Sequence, residues 1–181
     1  MRNLIAASAL ALAAAAPSIA SAEGLTYSAG ATVASKYISG SASVYTKGAA
    51  FQPWLEAEYN GAYFGYWGSN VDPELNTTEA GDRDSWEHDV YVGYRNSFNG
   101  INYDATYTRF YMNKSGNAGD EVSLAVTYDF TEQFNLGAKI MDDPSDYRRS
   151  VNGRLIAKYK LDDKIAFKAT SGKVSHAHEY Y

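Results

Sequence analysis

The chain has 181 residues, a formal net charge of −5, no cysteine, and sixteen tyrosines against seven phenylalanines. That length suits one domain, and mild acidity argues against a nucleic-acid partner. With no disulfide framework available, stability must come from the fold itself.

Residues 1–22 read as a secretory signal peptide, with Arg2 as the positive n-region, 4–16 as the apolar h-region and Ala20-Ser21-Ala22 as an A-x-A cleavage site before Glu23. The segment is alanine-rich and interrupted by Pro17 and Ser18. It is also short of the roughly 20 strongly apolar residues that a spanning helix needs. The mature chain is therefore expected to be exported and to start near Glu23. No later apolar run has helical period, which excludes a helical inner-membrane protein and leaves periplasm, outer membrane or medium.

Nine strands are predicted in chain order, at 25–38, 51–59, 62–71, 85–98, 101–112, 121–130, 134–141, 151–161 and 164–171. Their signature is alternation. Ile101, Tyr103, Ala105 and Tyr107 fall on one face, and Asn102, Asp104, Thr106 and Thr108 on the other, because successive strand side chains point to opposite sides. Most runs reach the roughly 9–11 residues with which a tilted strand crosses a membrane.

The connections alternate as well. Asn60-Gly61 and Asn99-Gly100 are two-residue hairpin signals, and Thr131-Glu132-Gln133 and Asp162-Asp163 close two further hairpins. Between them lie longer polar links at 39–50, 72–84, 113–120 and 142–150. Tight periplasmic turns and longer external loops are the pattern of an outer-membrane barrel. The fold class expected is thus all-β, an antiparallel up-and-down transmembrane barrel forming a single domain over 23–181. Nine strands would leave an open edge in lipid, so ten are expected when complete, with the last missing beyond Tyr180-Tyr181; eight is the alternative if one run is not a spanning strand.

Parity divides the side chains. One face collects Leu25, Tyr27, Val33, Tyr37, Leu55, Phe64, Val92, Leu124 and Leu136, with Tyr59, Tyr66, Trp86, Tyr94, Tyr103, Tyr128 and Tyr159 as lipid-facing or girdle residues near strand ends. Tyrosine suits that boundary, having an apolar body and a polar tip. The other face carries Lys36, Gln52, Glu87, Arg95, Asp129, Lys139 and Lys168. On it Glu56, Glu58, Asp89, Asp104, Arg154 and Lys158 are the candidate pore-lining residues. Acids dominate the first two-thirds of the chain and bases the last third. A hydrated, charge-patterned pore is one reading. The other is a lumen filled by side chains and salt bridges, because about eight strands enclose an interior just wide enough to be filled.

The stretch Gly61-Ala62-Tyr63-Phe64-Gly65-Tyr66-Trp67-Gly68-Ser69-Asn70-Val71-Asp72, with Ser35-Lys36-Tyr37-Ile38-Ser39-Gly40, Gln52-Pro53 and Glu87-His88-Asp89-Val90-Tyr91-Val92-Gly93-Tyr94, resembles the TorF-type porin-like family of small uncharacterised outer-membrane proteins. The resemblance covers most of 25–112, and Ser39 stands where that family usually has arginine. It implies an outer-membrane barrel and a pore, with no solute specified.

Other clusters are weaker. His88 lies on the lipid-facing parity; His176 and His178 share a strand face without further metal ligands. Link 72–84 holds Asp72, Glu74, Glu79, Asp82 and Asp84 against Arg83 but no calcium-loop signature; it reads as a solvated acidic loop at the level of lipopolysaccharide. Ser85 near His88 is the only local nucleophile–base pairing and lacks an oxyanion motif. The expectation is therefore a non-enzymatic outer-membrane protein without cofactor or metal. Its partners would be membrane lipid, lipopolysaccharide and an unspecified small hydrophilic solute. The alternatives are a non-conducting barrel serving surface interaction or envelope structure, and a soluble periplasmic ligand-binding barrel.

Overall fold

In a computed structural model of the chain, the described residues are 11–15, 21–22, 24–38, 43–144, 150–162 and 165–176. Arg2, Ser39, Asp163, His178 and Tyr180-Tyr181 lie outside them. The strands are β1 (Ala11–Ala15), β2 (Ser21–Ala22), β3 (Leu25–Ala34), β4 (Ala50–Tyr59), β5 (Ala62–Asn70), β6 (Trp86–Phe98), β7 (Ile101–Met112), β8 (Gly116–Asp129), β9 (Phe134–Asp142), β10 (Ser150–Lys160) and β11 (Ala166–His176). All belong to one sheet, in which β3 to β11 are paired in chain order and every pairing is antiparallel. The predicted all-β meander is thus observed, each of the nine predicted runs forming a strand.

The hairpin chemistry is as the sequence requires. Asn60 and Asn99 have φ of 50°, followed by Gly61 at 85° and Gly100 at 79°, the left-handed pairs that suit the twist of a two-residue hairpin. Three strand boundaries differ clearly from expectation. β3 ends at Ala34, so Tyr37 leaves the strand parity assigned to it. The predicted link 113–120 shrinks to 113–115, because β8 begins at Gly116 and a register shift between Phe110 and Tyr111 absorbs the mismatch. A bulge of this kind extends a hairpin without obeying strict alternation. The last strand, predicted to end at residue 171, likewise runs on to His176.

β1 and β2, within the predicted signal peptide, pair with β3 along its free side. β3 and β11 are separated by eight reversals and point the same way. No pairing joins them among the described residues. The sheet is nevertheless curled, since Glu58 on β4 and Lys168 on β11 line one cavity.

At the long-loop end the connections tie to one another. Tyr45 N–H donates to Tyr37 O at 3.0 Å, Asp72 N–H donates to Tyr45 O at 2.8 Å, and Lys47 pairs with Glu74. Asp84 accepts from the N–H groups of Lys114 and Ser115 at 2.9 and 3.0 Å and from the Ser115 hydroxyl at 2.6 Å. Burial alone would raise the Asp84 carboxyl, but these donors and the Lys114 charge outweigh it and hold it below the ordinary carboxylate range.

Candidate functional site

Burial is inverted relative to a protein with an apolar core. Ser69 is 0% exposed and Glu87 3%, whereas Phe64 is 58% and Leu155 64% exposed. The polar parity faces the hollow of the curled sheet and the apolar parity faces out. All six predicted lining residues, Glu56, Glu58, Asp89, Asp104, Arg154 and Lys158, lie on that inner face, as the register of β4 against β5, β6 against β7 and β9 against β10 requires.

Arg95 organises the acidic wall. Its guanidinium is 2.9 Å from Glu56, 3.6 Å from Glu58 and 3.8 Å from Asp104, and its Cζ sits 3.8 Å over the Tyr63 ring. One strand, β5, stands between Arg95 on β6 and Glu56 on β4, so the contact depends on the curl. Tyr63 OH donates to Asp104 at 2.5 Å, and Thr106 OH donates to the same carboxylate oxygen at 3.0 Å. The smaller neighbours make room: Tyr63 pairs across the sheet with Gly93, and Tyr91 with Gly65.

The opposite wall is basic. Lys158 faces Lys168 directly across β10 and β11, and Arg154 faces Lys139 across β10 and β9. Lys139 reaches Glu121 at 3.7 Å. Between the walls lies a cavity of about 820 Å³, lined among others by Glu58, Arg95, Asp104, Lys139, Lys158 and Lys168 and reaching Asn60-Gly61 at the short-turn end.

Towards the long loops the lumen is aromatic and acidic. Tyr37 packs on Tyr45 with ring centroids 4.8 Å apart and edge-on to Trp67 at 5.5 Å, and the buried Glu87 and Asp89 carboxylates lie close enough to act on its hydroxyl. Burial raises the Tyr37 hydroxyl and pushes Tyr45 up to about 12, the charges of Glu87 and Asp89 adding to both. Tyr37, expected on the lipid face, is thus an inner residue: the strand ends three residues before it and the chain turns inward.

On the outer face Tyr59, Tyr94, Tyr103, Tyr128 and Tyr159 are exposed near the short-turn end. Tyr66 and Trp86 sit near the long loops, where the Tyr66 hydroxyl bonds His88 Nδ1 at 2.8 Å and Trp86 Nε1–H donates to Tyr66 OH at 3.4 Å. His88 therefore belongs to this outer aromatic group. Ser85 is engaged by Asn113, which donates to its hydroxyl at 3.1 Å. Among the described residues no cluster of His, Asp or Glu could hold a metal. Sequence reasoning missed Tyr63, Tyr91, Trp67 and Glu121 as inner residues; the parity that puts Phe64 and Tyr66 outside already carries the signal for the first and third.

A model of the family described as "Bacterial protein of unknown function (Gcw_chp)" matches residues 18–142, which takes in the strands from β2 to β9. Comparison with curated proteins and with solved structures returns no match. The chain belongs to the Gcw_chp family.

Proposed function

Starting from a family whose description assigns no role, we propose that the chain is an outer-membrane β-barrel that lets small hydrophilic solutes or ions diffuse through a narrow lumen. The observation that carries this reading is the inverted burial around the cavity. Exposed Leu55, Val92, Leu124 and Leu136 encircle an inner face bearing Glu58, Asp104, Lys139 and Lys158. An apolar exterior is favourable only against lipid or another apolar surface, and the charged interior then needs water. The aromatic bands at the two ends of the strands fit the two membrane–water boundaries, with lipid and lipopolysaccharide as the surrounding partners. The resemblance to the TorF-type family and the predicted export signal point the same way.

Removal of residues 1–22 would free the β3 edge now covered by β1 and β2. β3 and β11 point the same way, so an antiparallel closure of the sheet calls for an even number of strands.

A second reading is a silent barrel whose loops serve surface interaction or envelope structure. It is favoured by the Arg95 cluster and by the bonds that tie 43–48 to 71–76 over the long-loop end. Conductance of the refolded full-length protein in planar bilayers separates the two. Discrete current steps support the channel. An inserted, heat-modifiable but silent protein moves function to the loops, and a protein that stays in buffer without detergent returns a soluble periplasmic binding barrel.

A further inference from the structure

We infer that the solutes admitted are small zwitterions, drawn into the cavity by two walls of opposite charge; this rests on the channel reading. On one wall a single guanidinium, Arg95, serves the three carboxylates of Glu56, Glu58 and Asp104, so negative charge remains in excess. Of these, Glu58 and Asp104 line the cavity, with their side chains 35% and 40% exposed.

The other wall holds Lys158 and Lys168, directly opposed on neighbouring strands. Like charges in that position destabilise a sheet, yet among the described residues neither lysine has an ion-pair partner. Lys139, also on this wall, is matched by Glu121. Asp129, which feels the Lys158 charge, accepts from Asn102 and Asn135, each at 2.7 Å. Among the described residues, then, the two lysines present ammonium groups to the cavity with no carboxylate in ion-pair contact.

A transverse field of this kind does little for a neutral solute. A net anion or a net cation gains from one wall and loses to the other. A molecule with a carboxylate or phosphate at one end and an ammonium at the other gains from both, since each end meets its opposite charge where side walls confine the field. Small amino acids are the simplest members of that class.

The test is swelling of phosphatidylcholine proteoliposomes containing the full chain, comparing serine with erythritol, a neutral solute of similar size. Serine is expected to enter several-fold faster than erythritol, and the Lys158→Gln/Lys168→Gln variant is expected to bring the ratio to parity. Glu58→Gln, which leaves the lysine wall intact, is expected to lower the same ratio and serves if the double variant fails to fold. Equal entry of serine and erythritol into vesicles with the unchanged protein overturns the zwitterion preference while leaving a channel. Entry of neither solute into vesicles that contain the folded protein overturns the channel reading together with it.

Discussion

Arg95 lies 3.8 Å over the ring of Tyr63 and 2.9 Å from Glu56, so one side chain on β6 fastens β5 and β4 to the inner wall. Truncating it leaves Glu56, with only 12% of its side chain exposed, without its cation. Arg95→Ala is expected to lower stability by about 2 kcal/mol, the range for a hydrogen bond to a charged group, discounted because the guanidinium is partly solvated. Arg95→Lys should recover part of this, since charge returns without the planar fork. Urea titration of folding into vesicles measures both, and equal stability of Arg95→Ala and the parent would show that the cluster is not structural.

The reciprocal tyrosine–glycine pairs make a second prediction. A Cβ on Gly65 would come 2.2 Å from the Tyr91 ring, while one on Gly93 would meet the Tyr63 ring at 2.3 Å and the Ala105 carbonyl oxygen at 2.5 Å. A ring can rotate away, whereas a ladder carbonyl cannot without disturbing β7. Gly93→Ala is therefore expected to cost more than Gly65→Ala, within the roughly 1–3 kcal/mol of overpacking. The same titration ranks them, and the reverse order would contradict the packing.

These contacts mark the limit of what the sequence discloses. Alternation at Ile101–Tyr107 assigns faces, and Asn60-Gly61 and Asn99-Gly100 fix two turns, because both signals are local. Tyr37 escapes parity because its strand stops at Ala34, which depends on how the loops pack. The hairpin of β7 and β8 outruns its prediction because a bulge breaks period two. Arg95 meeting Glu56 depends on sheet curl, which no single strand encodes.

Loop anchoring should depend on pH through Asp84. Its carboxyl is held below the ordinary range by Ser115 and Lys114, so its contribution is fully present above about pH 4, where the unfolded group is already ionised. It is lost as pH falls through the depressed folded value. Asp84→Ala is expected to weaken the attachment of 71–85 to 113–115 by about 2 kcal/mol. Limited proteolysis of that loop at neutral pH reads this as faster cleavage. Below the folded value the parent should be cleaved as fast as the variant, and cleavage of the parent that does not rise on acidification would remove Asp84 from the anchor.

The outer face gives the most direct test of the environment. Leu124 lies mid-strand on β8 and is 49% exposed, whereas its neighbour Ala125 borders the cavity opposite Asp104. In lipid, Leu124→Arg carries a guanidinium into hydrocarbon, at a cost of about 2–4 kcal/mol near the midplane. Ala125→Arg directs the same group into a hydrated lumen beside a carboxylate, where the cost should be much smaller. For a sheet standing in water the order inverts, since a surface leucine tolerates arginine and an inner alanine is crowded by it. Folding of the two variants into vesicles against urea therefore decides which face meets lipid: a larger loss at Leu124 fits the barrel, and a larger loss at Ala125 sinks it.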